Sequence, residues 1–132
     1  MISNLYLGLL TLLYIMITLE TIKARQRNQI SLGAGKTFEI EAIVSAHSNF
    51  NSYVPLLMIL LFSAEWFMIL PKFIIHLLGI IIFLGRTFHF IAFRGNKMNF
   101  KLRTIGMHMT IWPLMFLAIT SIYAYAKSAL NL

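Results

Sequence analysis

The chain has 132 residues, 59% of them hydrophobic and 11% charged, with a mean hydropathy of +0.80, which excludes a soluble domain of this length and makes it a membrane protein. Its formal net charge of +7 does not point to nucleic acid, because the basic residues gather in two short segments between apolar runs, the pattern of membrane orientation. Cysteine is absent, so no disulfide, thiolate nucleophile or cysteine metal site can form.

Four apolar runs approach the roughly 20 residues a helix needs to cross the hydrocarbon core: Ile2 to Ile22, Tyr53 to Leu70, Phe73 to Phe93 and Ile105 to Ala126. Backbone groups in lipid must bond within their own segment, and no alternating strand pattern suggests a barrel. The expected fold is therefore an all-α bundle of four transmembrane helices in a single domain over residues 1–132. The first run follows no positive segment and continues without a small-residue cleavage site, so it is expected to be a retained span and not a signal peptide.

The first connection carries Lys23, Arg25, Arg27 and Lys36. Within it Gly33 to Thr37 reads GAGKT, but the full nucleotide-binding pattern would place a glycine at Ile30 and a strand before it, so the segment is read as a turn. Thr37 can cap the next helix, with Glu39 and Glu41 in its first turn. From Phe38 to Leu70 that helix would run on the order of 50 Å and protrude beyond the membrane. Glu41, Ser45, Ser48, Asn49 and Ser52 recur along it at three- and four-residue spacing. Such a polar stripe serves either as packing glue between helices or as the lining of a hydrophilic pocket. Pro55, and Pro113 in the last run, should bend their helices locally. Glu65 is expected to be paired or protonated near the outer end, and Glu20 to reach the headgroups or meet Arg25.

Leu70, Pro71 and Lys72 separate the second and third runs, a tight antiparallel hairpin. Arg86 lies within the third run, about 10 Å from its basic end. A guanidinium stays charged and is costly in hydrocarbon, so it is read as facing a polar cavity or a partner. His89 follows one turn later on the same face. Arg94, Lys97, Lys101 and Arg103 fill the third connection, while Lys72 and Lys127 alone carry positive charge on the other side. The bias puts the basic face in the cytoplasm and both termini outside. His76 and His108 lack partners at ligand spacing, so no metal site is expected. Trp66, Trp112, Tyr123 and Tyr125 suit an interfacial belt.

At AHSNFNSYVP (Ala46 to Pro55) and GRTFHF (Gly85 to Phe90), with IKARQRNQISLGAGK (Ile22 to Lys36) and LRTIGM (Leu102 to Met107), the sequence resembles the MAPEG family, the membrane-associated proteins in eicosanoid and glutathione metabolism, and within it the small bacterial members. The resemblance spans nearly the whole chain. It implies a homotrimer with glutathione as co-substrate, held between subunits near the cytoplasmic face. By that resemblance Arg25, Asn49, Tyr53 and Arg86 hold the peptide, His89 stands where well-studied relatives have tyrosine, and Arg103 stabilises the thiolate. The chain departs from the family pattern at Ser45 and Ser52, where arginine and glutamate are usual. The expected activity is a glutathione-dependent transferase or peroxidase acting on lipophilic electrophiles that enter from the bilayer, in the inner membrane of a bacterium. Two alternatives stand beside it: a non-catalytic binding or scaffold member of the same family, and a small multidrug transporter.

Overall fold

Every amide in hydrocarbon has to find its acceptor nearby, and the chain does so in four helices: α1 (Ile2–Asn28), α2 (Phe38–Trp66), α3 (Lys72–Ala92) and α4 (Phe100–Ala129). A computed structural model describes residues 1–33, 37–94 and 97–130. Lys36 and most of the GAGKT segment lie outside the described residues. Among those described, α1, α3 and α4 are long and apolar enough to cross a membrane. α2 is not, because its polar stripe occupies the first half. The four helices are the all-α bundle the sequence leads one to expect, with α2 the most polar of them.

Helix ends follow local chemistry. α1 runs past its apolar stretch to Asn28 and closes on Gln29 in the left-handed region, where the Ile30 amide donates to the Arg25 carbonyl at 3.0 Å. Thr37 does stand at the N-cap of α2 in extended conformation, but its side chain does not cap; the hydroxyl donates to Asn28 Oδ1 at 3.4 Å. α2 stops at Trp66, four residues before the expected end. Met68 turns left-handed there, and the Ile69 amide donates back to the Ala64 carbonyl at 2.9 Å. α4 begins five residues earlier than its apolar run, because Asn99 Oδ1 accepts from the Leu102 amide at 3.0 Å and caps it. α2 and α4 continue unbroken through Pro55 and Pro113.

α2 and α3 form the centre. α1 packs on both from one side and α4 on both from the other, and α1 and α4 do not meet among the described residues. Buried positions recur at three and four residues: Tyr6, Leu10, Leu13 and Ile17 on α1, Leu57, Leu61 and Ala64 on α2, Ile75, Leu78 and Ile82 on α3, the seam of an antiparallel bundle. Leu12, Ile59, Leu77 and Ile119 point outward and are exposed, as a lipid-facing surface must be. α3 and α4 approach most closely at Gly85 and Gly106, where an added Cβ on Gly106 would stand 2.7 Å from the Gly85 carbonyl oxygen and from the His89 amide.

Polar contacts pin the two ends. At the hairpin end the Glu65 carboxylate accepts from the Ile2 and Ser3 amides at 2.5 and 2.8 Å and from the Ser3 hydroxyl at 2.5 Å. It therefore caps α1 from another helix, satisfying orphan N–H groups at the positive end of the dipole. Tyr6 and His76 hydrogen-bond at 2.8 Å between α1 and α3. At the basic end Arg27 and Asn28 donate to Glu39 at 2.5 and 3.0 Å. Glu20 of α1 meets Arg94, in the segment just beyond α3, at 2.7 Å; its ion-pair partner is thus Arg94 and not Arg25.

Candidate functional site

The α3–α4 contact at Gly85 and Gly106 decides what lies beside Arg86. With no side chain at 106, α4 comes near enough for Thr110 to face the guanidinium. The Thr110 hydroxyl donates its hydrogen to the Gly106 carbonyl at 2.8 Å, which leaves its lone pairs to accept from Arg86 Nη1 at 3.4 Å. Arg86 Nη2 donates to Asn49 Oδ1 of α2 at 3.0 Å and lies 3.4 Å from Nδ1 of His89. The Phe50 ring sits beside the cation, its centroid 5.7 Å from Cζ. Arg86 and His89 are each 1% exposed and Thr110 is 0% exposed.

Every one of these partners is neutral. Of the two ion pairs among the described residues, Arg27–Glu39 and Arg94–Glu20, neither involves Arg86. The guanidinium thus keeps a full positive charge inside the bundle, stabilised by an amide, a hydroxyl, an imidazole and an aromatic face. Arg86 thus meets partners within the chain, and several hollows open elsewhere in the bundle. A polar one of about 360 Å³ opens at the basic end between Glu20, Lys23, Arg27, Glu39 and Arg94. Two largely apolar ones of about 600 and 360 Å³ share Leu7, Pro55 and Met58 along α1 and α2. None of these is lined by Arg86.

Asn49, Arg86 and His89 therefore come together. Tyr53 is half-buried one turn beyond Asn49 on α2. Arg103 is exposed at the start of α4, its Cζ 5.6 Å from the Phe93 centroid and its Nη1 3.8 Å from Met98 Sδ. The other side of the same Phe93 neighbourhood is His89, whose ring centroid is 5.1 Å from that of Phe93. Arg25 lies on α1, half-buried, and no hydrogen bond or ion pair among the described residues joins it to this group. Ser45, Ser48 and Ser52 are exposed on the outer face of α2. The polar stripe is thus turned out of the single chain, and only Asn49 of its members turns toward Arg86.

Three buried side-chain nitrogens have no hydrogen-bond partner among the described residues: Nη1 of Arg25, Nε of Arg86 and Nε2 of His89. An unsatisfied buried donor costs about 1–3 kcal/mol. No group of three or more metal-binding side chains occurs among the described residues. Around Arg86 the described side chains include no thiol and no carboxylate, and the Thr110 hydroxyl is held by the Gly106 carbonyl. A cation and spare donors can hold an anion and lower the pKa of an acid beside them.

Thr110, Phe50 and Gly106 were not singled out by the sequence, whereas Phe93 shares the helical face of Arg86 and His89. Gly106 and Thr110, four residues apart on one helix face, carry the small-residue spacing of close membrane helix contacts, a signal that pointed to them. Phe50 gave none, being an apolar residue in an apolar chain.

Comparison with known proteins places this geometry in a lineage. The model of the MAPEG family matches residues 3–123. The chain is 25% identical over 128 residues to the inner membrane protein YecN of Escherichia coli (strain K12), covering 93% of this chain and 92% of that protein. It is similar to the same degree to inner membrane protein YecN of Escherichia coli O6:H1 (strain CFT073).

Proposed function

The chain belongs to the MAPEG family, and from that premise we propose that it binds glutathione and transfers it to lipophilic electrophiles from a site near the basic end of the bundle. The single observation that carries this reading is that the three buried side-chain nitrogens without a partner among the described residues fall on Arg25, Arg86 and His89, all residues matched to glutathione contacts. A tripeptide with two carboxylates and a thiol supplies acceptors for all of them. The unbalanced charge of Arg86 adds to the pull on an anion. Arg25 shares no hydrogen bond or ion pair with the other two among the described residues, and the exposed serines of α2 want polar company, so the working form in this reading is a homotrimer whose subunits share each ligand. The basic ends lie in the cytoplasm of a bacterial inner membrane, with both termini outside.

The chemistry asked of the protein is modest. The thiol loses its proton to water, and the thiolate attacks an electrophilic carbon. A carbon–sulfur bond forms as the carbon–halogen bond of an aryl halide breaks, and halide leaves with the electron pair. A free cysteine thiol has a pKa of about 8.5, and a guanidinium beside the sulfur lowers it. Arg103 takes that role, exposed at the mouth of the site. Ser45 and Ser52, where the family pattern has charged residues, favour a second reading in which the protein binds the peptide without turning it over.

The test is calorimetric binding of glutathione to the detergent-solubilised chain, with conjugation of a reactive aryl halide measured alongside. Binding should weaken in Arg86→Ala, and the rate should fall in Arg103→Ala. Unchanged binding and rate in both variants would refute the assignment, and binding without any rate above background would leave the second reading.

A further inference from the structure

At the basic end of the bundle the polar hollow of about 360 Å³ lies between α1, α2 and the two residues that follow α3, and Arg86 does not line it. We infer that this hollow seats the phosphate of an anionic phospholipid, with Lys23 as the contacting cation. Glu20, Lys23, Ala24 and Arg27 fall at i, i+3, i+4 and i+7, one face of α1. The helix carries that face past the end of its apolar stretch at Ile22, to the level of the headgroups. Glu39 and Ile43, one turn apart on α2, make the second wall, and Phe93 and Arg94 the third. Every lining residue belongs to one chain, so the site needs neither glutathione nor a second subunit.

Charge decides the guest. Lys23, Arg27 and Arg94 face Glu20 and Glu39, which leaves one positive charge over. Each carboxylate is already engaged: Glu39 accepts from Arg27 at 2.5 Å and from Asn28 at 3.0 Å, and Glu20 accepts from Arg94 at 2.7 Å. Both arginines use only Nη2 in these pairs, and a guanidinium carries five N–H donors, so each is held in place with donors to spare. Lys23 has no ion pair among the described residues. An anion with several oxygens answers all three cations at once. The floor shows where that anion comes from. Ala24, Ile43 and Phe93 are buried, and Leu19, one turn before Lys23 on the same face of α1, is an exposed apolar side chain. An acyl chain can therefore run along α1 into the bilayer while its phosphate stays in the hollow, whereas a free phosphate would leave that apolar lane unused. Basic pockets between membrane helices at headgroup depth take anionic lipids for this reason, and the volume is within the range of small-ligand pockets.

The test is native mass spectrometry of the full chain, delipidated in a neutral detergent and titrated with phosphatidylglycerol or phosphatidylcholine in the absence of glutathione. The parent should bind phosphatidylglycerol about tenfold more tightly than phosphatidylcholine, and Lys23→Ala should lose about tenfold in affinity for the anionic lipid. Lys23→Arg, which keeps the charge, should stay within about threefold of the parent. Lys101→Ala is the matched control, because it removes the same charge from an exposed position on α4 outside the hollow; it too should stay within about threefold. Equal losses in Lys23→Ala and Lys101→Ala would mean that net charge alone draws the lipid, and equal affinity of the parent for both lipids would mean that no anion is read. Either result overturns the inference. Inorganic phosphate or glutathione, added in large excess, should leave the bound phosphatidylglycerol in place. Displacement by inorganic phosphate would assign the hollow to a free anion, and displacement by glutathione would join it to the site proposed above; in both cases the lipid inference fails.

Discussion

Replacing Gly106 by alanine tests the close α3–α4 contact on which the site rests. The new Cβ would stand 2.7 Å from the Gly85 carbonyl oxygen, 2.7 Å from the His89 amide nitrogen and 2.9 Å from His89 Cβ. These are backbone or backbone-near atoms with no rotamer to escape into, and the closest fall about 0.7 Å short of an ordinary 3.4 Å contact. The helices must separate by a similar distance, at an overpacking cost of about 1–3 kcal/mol, offset by about 1 kcal/mol from the better helix propensity of alanine. The same separation carries Thr110 Oγ1, now 3.4 Å from Arg86 Nη1, beyond hydrogen-bonding reach. Gly8→Ala is the matched control, because nothing lies within 4 Å of its added Cβ. Thermal unfolding in detergent should show Gly106→Ala less stable than the parent and Gly8→Ala equal or more stable. Equal stability of both variants with the parent, or a stabilised Gly106→Ala, would refute the argument that this glycine is a spacing requirement.

Three further outcomes follow from the contacts. Glu65→Ala removes the cap that accepts from the Ile2 and Ser3 amides, and should lower stability by about 1 kcal/mol in the same assay, with hydrogen exchange rising in the first turn of α1. Glu20→Ala breaks the pair with Arg94, whose side chains are 32% and 55% exposed, and should cost less than about 1 kcal/mol because solvent screens it; a larger loss would show the pair to be shielded in the assembled protein. Restoring charge with Ser45→Arg and Ser52→Glu together should tighten glutathione binding, read by titration calorimetry. No change in affinity would argue that this chain holds another ligand.

The candidate site was partly legible before any coordinates. Arg86 drew attention because a permanent cation in an apolar run is costly wherever it points, and the spacing of His89 put it on the same face. Asn49 followed from a polar stripe, but its neighbours in that stripe point elsewhere: Ser45, Ser48 and Ser52 are exposed on the outer face of α2. Periodicity states which residues share a face and does not say what that face meets. The end of α2 was misplaced for a related reason. The apolar run continues to Leu70, and hydropathy cannot distinguish a last helical turn from an apolar turn such as the one at Met68.

The sequence by itself determined that the protein sits in a membrane, that it is helical and that Arg86 had to be accommodated, since each of these follows from the cost of exposing polar groups to hydrocarbon. Only the tertiary structure decided which face of each helix is inside. Lipid and protein interior are equally apolar, so Leu10 and Leu12 read alike although one is buried and the other exposed; what separates them is fit between helices, as where Tyr6 of α1 packs on Gly79 of α3 and where Gly85 meets Gly106 between α3 and α4.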